Sequence, residues 1–403
     1  MNSKILDRIT DRMPLHARNR VDATMEQIGM AMNMHNGKVA ASLAPSAYRG
    51  LIRRDGKRHE SVAMHSSHAV HFDLRYDSEE PDFYDLYRRA VSNQWDGDRD
   101  LPWQTDVDPE NPNVPLIDAE FIPIDRIRAT GAALNDQEVT RLNYHLAAWV
   151  LSQFMHGEQG ALYASAQVTE AVHWMDGKLY GATQVMDEAR HLEVFLRYLD
   201  SKLNRVYHIN DNLFVIIDDL MTDSRWDIKF LGMQIMVEGL ALGAFGTIYN
   251  LTHEPLLKEL LRRVIQDESR HVHYGVLALR KHIHTLSDAE RREREDWAFE
   301  VALLMRNRFL AHEIYDEWFA HRMRRREWNE IIMGSAAMSK FRNMMFRRLV
   351  PNLREIGLLS PRIQQHYADA GLMHWAKGRD ATRLSAEDLL VDGDTEAAEL
   401  EAA

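Results

Sequence analysis

Apolar residues recur at helical spacing, with few breakers, through the middle of the chain from Asn135 to about His284. Asn135 followed by Glu138 predicts a capping box at the start of this region. Ser287 and Glu290 predict another capped helix running to about Arg325, with shorter helices after it, interrupted at Pro351 and Pro361. The first part of the chain is less regular. Residues 70 to 76 alternate, Val70, Phe72, Leu74 and Tyr76 against His71, Asp73 and Arg75, which predicts a short strand or extended arm. Pro81 to Asn93 reads as helix, and Trp95 to Pro115, rich in Asp, Pro and Asn, as loop. Met25, Met30, Met32 and Met34 predict a core-facing helix, with an apolar substrate wall as the lesser alternative. The expected fold class is all-α. Residues 1–124 form an irregular N-terminal segment, 125–285 a helical bundle, 286–384 a C-terminal helical extension and 385–403 an acidic, Ala-rich tail.

The most apolar stretch, Leu231 to Leu251, is long enough to cross a membrane, but it carries Gln234 and Glu238 in its middle and no second stretch resembles it. We expect a helix buried on every side in a bundle and no membrane association. A glutamate at its centre then needs a cation, because a buried charge must be paired or must bind a metal. The N-terminus has no apolar core of a signal peptide, so a cytoplasmic location is expected. The 403 residues are 45% hydrophobic and 27% charged, a globular composition. A net charge of −12 argues against nucleic-acid binding. The chain has no cysteine, which excludes disulfides, thiolate metal sites and a cysteine nucleophile. Any metal must be held by Asp, Glu and the 20 histidines.

The strings DEARH at 187–191 and DESRH at 267–271 lie 80 positions apart. The same offset aligns Glu158 with Glu238, so Glu158, Glu188 and His191 repeat as Glu238, Glu268 and His271. Each copy has 30 positions between its first and second glutamate. Were each pair of glutamates side by side on antiparallel helices, the turns would fall near residues 173 and 253. Asp176-Gly177 and Pro255 stand there as turn and helix-start residues. Glu and His three apart share a helix face. The two hairpins thus predict four glutamates and two histidines converging in a bundle core, a −4 set that balances two divalent cations and suits iron or manganese. Asp187 and Asp267 are candidates to orient the imidazoles, and Arg190 and Arg270 to pair those aspartates. A single Glu-x-x-His is usually a surface pair; two copies at one offset are not readily accidental. Glu170 rivals Glu158 as first ligand, but its repeat position is Asn250. Gly157, Gly160 and Ala161 beside Glu158, and Gly239, Gly243 and Ala244 beside Glu238, serve either to leave room at the site or to let helices pack closely.

These residues resemble the ferritin-like carboxylate-bridged di-iron superfamily, marked by a Glu from each of two helices and Glu-x-x-His from each of two others. The segment from Gly157 to His191 looks like the first hairpin of the branch holding ribonucleotide reductase radical subunits and bacterial multicomponent monooxygenases. The resemblance implies a ferritin-like four-helix bundle over about 135–285. It implies two iron ions, or a manganese–iron pair, on Glu158, Glu188, His191, Glu238, Glu268 and His271. It also implies a homodimer, and an oxygenase or oxidase that uses dioxygen to hydroxylate, desaturate or N-oxygenate a small organic substrate. No flavin or nicotinamide motif is present, so a separate reductase or ferredoxin would supply electrons. Two positions depart from the family: Phe195 stands where radical subunits usually have Tyr, and Leu242 where the monooxygenases have Thr. The alternatives are a radical-generating subunit, a non-catalytic iron-binding protein, and a helical protein whose Glu-x-x-His pairs are only salt bridges.

Other histidines and tyrosines read less sharply. His65, His68 and His71 form HSSHAVH, either a second metal site or exposed loop histidines. His273 points to a different side of its helix from His271 and reads as packing or as support for the ligands, and His282 and His284 follow it. Tyr163, Tyr180, Tyr249 and Tyr274 read as core tyrosines or as relays.

Overall fold

The computed structural model describes residues 10, 12–58, 60–117, 122–373 and 375–390. Among them every regular element is helical and there is no strand. The helices are α1 (Leu15–Met32), α2 (Gly37–Ala47), α3 (Pro81–Ser92), α4 (Ile124–Ala129), α5 (Asp136–Ala171), α6 (Met175–Tyr198) and α7 (Asp211–Thr222). Then follow α8 (Trp226–Leu251), α9 (Pro255–Ile283), α10 (Asp288–Asn307), α11 (His312–Trp318), α12 (Arg325–Met333), α13 (Ala336–Glu355), α14 (Pro361–Asp369) and α15 (Ala386–Leu390).

Two hairpins make the centre. In the first, the Asn135 side chain accepts from Glu138 N at 2.9 Å and Glu138 returns the bond, so α5 starts at the predicted capping box. Its 36 residues run to Ala171, and α6 begins at Met175 after an extended link. The turn therefore falls at the predicted midpoint, but Asp176-Gly177 does not make it. Both lie in the first turn of α6, where Asp176 accepts bonds from Ser78 Oγ and Glu80 N, and Gly177 O accepts from Tyr274 Oη at 2.8 Å. In the second hairpin Pro255 opens α9 as expected, and the Glu254 carboxylate caps it, accepting from Leu256 N and Leu257 N. Both hairpins pack against each other, α3 lies on α6, and α13 lies on α8.

Among the described residues α8 alone is long and apolar enough to cross a membrane, yet 94% of its most apolar window is buried in protein. Its residues Leu231–Val237 wind as a π-helix immediately before Glu238. Lys229, fully buried, donates to Gln167 Oε1 and to Leu220 O and Met221 O, the last-turn carbonyls of α7.

Several expectations need correction. Residues 70–76 pair with no strand; Val70, Phe72, Leu74 and Tyr76 are exposed, so alternation there reflects no buried face. The N-terminal segment is more helical than expected, holding α1, α2 and α3. Helix α1 has no buried residue, and Met32 is 79% exposed, so the methionines form no core stripe; only Met30 and Met34 pack partly on the core. Helix α10 ends at Asn307 rather than Arg325, because a 3₁₀ turn follows and Ala311 takes φ 49°. Pro351 sits inside α13 instead of breaking it, at the loss of one backbone bond. Of the expected acidic tail, Ser385 to Leu390 is described and includes α15, while residues 391–403 lie outside the described residues.

The small residues flanking the glutamates divide into two kinds. A Cβ on Gly243 would lie 2.5 Å from Met344 O and 2.6 Å from Met345 Cα, so the backbones of α8 and α13 touch there. One on Gly160 would meet Ile217 at 2.8 Å. A Cβ on Gly157 would meet nothing within 4 Å. Gly243→Ala is expected to destabilise by about 1–3 kcal/mol through overpacking. Gly157→Ala is expected to stabilise by about 0.5–1 kcal/mol through helix propensity. Thermal unfolding followed by circular dichroism checks both, and equal effects at the two sites would contradict this packing.

Candidate metal centre

Glu158 sits on α5, Glu188 and His191 on α6, Glu238 on α8, and Glu268 and His271 on α9. The antiparallel hairpins bring all six to one height, and all six are buried. They form two overlapping groups whose potential ligand atoms lie within 4.8 Å of one another: Glu158, Glu188, His191 and Glu268, and Glu188, Glu238, Glu268 and His271. These groups could hold a metal ion each. Glu188 and Glu268 belong to both, so the repeat found in the sequence is a near two-fold arrangement in space.

Both imidazoles turn Nδ1 toward the glutamates and Nε2 away. His191 Nδ1 lies 3.2 Å from Glu158 Oε2 and 3.1 Å from Glu268 Oε1; His271 Nδ1 lies 3.0 Å from Glu188 Oε1. On the far side His191 Nε2 is 3.1 Å from Asp267 and His271 Nε2 is 3.3 Å from Asp187. Each aspartate thus orients the histidine of the other hairpin, a crossing that the strings alone do not show. Arg190 donates to Asp267 at 2.9 Å and also to Asp187, while Arg270 donates to Asp267 and reaches Asp187 at 3.5 Å. Two acids and two guanidiniums therefore brace the rings from behind and balance each other in charge.

The glutamates have no such balance. Glu188 Oε2, Glu238 Oε2 and both oxygens of Glu268 are buried without hydrogen-bond partners among the described residues. Burial, with the charge of Glu268, pushes Glu158 well above its ordinary value; burial, Glu188 and Glu268 do the same to Glu238. Burial opposes charge on His191 and His271, but the surrounding carboxylates raise both well above the ordinary imidazole value. Glu188 is held below the usual carboxylate range against its burial, chiefly by His271 and then by His191.

Sequence reasoning missed four participants. Trp95 Nε1 donates to Asp267 at 2.7 Å, and Gln94 donates to Asp187 at 3.2 Å and accepts from Arg190; both lie at the edge of an irregular segment that gave no signal. Gln184 donates to Glu238 at 2.9 Å and to Glu188 at 3.2 Å. It shares a face with Glu188 four residues on, but its repeat position is Val264, so the repeat passes over it. Arg308 lines a small cavity with Glu158, Glu238 and Glu268.

The other candidates fall elsewhere. Glu170 lies outside the cluster, accepting from His68 Nε2 at 2.7 Å. His65 is exposed and the His71 ring lies against that of His173 at 3.8 Å, so HSSHAVH gathers no metal group among the described residues. His273 is half-buried, and its burial lowers it to about 4; His282 lies against Trp226, and His284 is exposed. Tyr180 and Tyr274 are buried with rings 4.7 Å apart, whereas Tyr163 is exposed, which corrects its reading as a core residue. A cleft of about 890 Å³ runs along another face of α5 past Gln159 and Tyr163, and none of the six residues lines it. Its size carries less weight than the chemistry of the cluster. Comparison of the chain with protein-family models, curated proteins and solved structures finds no match.

Four groups of the cluster, Glu158, Glu238, His191 and His271, hold protons more tightly than usual. Divalent metal must displace the protons these groups keep, so loading is expected to release protons. Raised values mean that the competing protons leave as pH climbs; metal affinity should therefore rise with pH and fall in acid. Calorimetry in two buffers of different ionisation enthalpy counts the protons, and a count near zero would contradict this electrostatic account.

Proposed function

We propose that the chain is a non-haem di-iron oxidoreductase of the ferritin-like carboxylate-bridged kind. In this reading it uses dioxygen to hydroxylate, desaturate or N-oxygenate a small organic substrate, with electrons from a separate reductase or ferredoxin. The observation that carries the reading is the pair of donor groups sharing Glu188 and Glu268. The residues fit two iron ions: the oxygens lacking hydrogen-bond partners are hard donors, the two Nδ1 atoms face them, and four carboxylates match the charge of two divalent cations. Glu158 and His191 would serve one ion, Glu238 and His271 the other, and Glu188 and Glu268 both. Iron bound there would supply the redox chemistry with dioxygen.

The protein's own part follows from its residues. Asp187 and Asp267 fix each imidazole with Nδ1 inward. Gln184 holds Glu238 and Glu188, while among the described residues no matching amide holds Glu158, so the two positions differ in freedom. Phe154, Phe195 and Phe245 pack together beside the cluster as an apolar wall, with Phe154 and Phe245 rings 4.6 Å apart. Phe195, at the position that carries tyrosine in most radical subunits, is buried in that cluster, which favours the oxygenase reading over the radical-generating one.

Mass spectrometry of protein purified from iron-replete cells is expected to find about two iron atoms per chain. Glu188→Ala with Glu268→Ala should lose both, since these residues belong to both groups, whereas Glu158→Ala should lose mainly one. Circular dichroism confirms that the variants fold. Reduced protein should consume dioxygen in proportion to its iron. One iron with one manganese would favour the radical-type reading. Protein that neither holds nor takes up ferrous iron would overturn the metal reading altogether.

A further inference from the structure

We infer that the small cavity beside the cluster is the binding site of an organic carboxylate, anchored by Arg308. The inference rests on the oxygenase reading above and names the chemical class of its substrate.

Arg308 stands in the 3₁₀ turn Arg308–Leu310 that follows α10, and it is 3% exposed. Its guanidinium has no ion pair or hydrogen bond among the described residues, and Nε is buried without a partner. Its Cζ lies 4.6 Å from the ring centroid of Phe309. Two other buried arginines have carboxylate partners: Arg190 pairs with Asp267 at 2.9 Å and Arg294 with Asp227 at 2.8 Å. An unpaired buried guanidinium is costly, and burial alone brings Arg308 down to about 9, which leaves it charged at neutral pH.

Arg308 lines the cavity together with Glu158, Glu238 and Glu268. It measures about 20 Å³, room for one or two waters and hence for a carboxylate group. Two divalent ions on four glutamates would form a neutral centre, so metal loading leaves Arg308 uncompensated. A monoanion would neutralise it, and the guanidinium fork matches a carboxylate through two parallel bonds. The organic remainder has a way out. Gly157 and Ala241 line the cavity and are only half-buried, and the space over Gly157 is open to 4 Å. A substrate held by its acid group at Arg308 would thus lie against the metal ligands with its chain toward Gly157.

The test uses the full chain loaded with manganous ion, titrated calorimetrically with acetate, butyrate and benzoate, and with acetamide, benzamide, chloride and phosphate. One carboxylate should bind per chain, at least about ten-fold more tightly than its amide, and Arg308→Leu should weaken it about thirty-fold. Arg308→Lys should fall between. Without ligand, Arg308→Leu should raise the thermal midpoint, because it removes an unpaired buried charge; a merely structural arginine would lower it. Gly157→Leu should exclude benzoate more than acetate. Equal binding by acids and amides, or saturation by chloride or phosphate as readily as by the acids, would overturn the inference even if Arg308→Leu fails to fold. Metal loading without carboxylate binding sinks this inference alone. Carboxylate binding that needs Arg308 in a protein that takes up no metal sustains the anion site and removes the di-iron reading.

Discussion

Four carboxylates crowded into a buried helical core cannot all be ionised without cations beside them. Burial costs each several kcal/mol as an isolated charge, and each raises the cost of the next. The residues behind them offer no relief, since Asp187 and Asp267 are matched by Arg190 and Arg270. Relief must come from protons or from metal. The surrounding structure follows from that choice: imidazoles turned inward with Nδ1 toward the glutamates, and an apolar wall of phenylalanines beside them.

The two capping boxes, the two hairpins and the six cluster residues were legible because they depend on local spacing. Asn135 with Glu138 and Ser287 with Glu290 act within one helical turn. The 80-residue offset survives because each hairpin repeats the same arm length. What escaped was set by tertiary neighbours. Trp95 reaches Asp267 from a segment without periodicity, and the crossing of aspartates to opposite histidines exists only once the hairpins dock. Arg308 could not be singled out among the many arginines, because its significance is the absence of a partner among the described residues. Alternation at 70–76 and the methionines of α1 misled because apolar residues there are not all buried. The resemblance to ferritin-like di-iron proteins motivates the proposed chemistry and rests on the motif residues alone.

Small residues near the glutamates illustrate how one composition serves two ends. Gly243 permits backbone contact between α8 and α13, and Gly160 accommodates Ile217. Gly157, one residue from Glu158, touches nothing and keeps a path open. The distinction lies in what stands opposite each glycine, which no sequence window contains.

The sharing of Glu188 and Glu268 has a mechanical side. A chain without cysteine has no covalent staple. Each four-residue group draws on both hairpins, so an ion in either would tie together segments that are far apart in the chain, closing a long loop at one point. Neither hairpin alone supplies either complete group. An ion seated there would be a clasp as well as a reagent, and its departure would free the two halves to part.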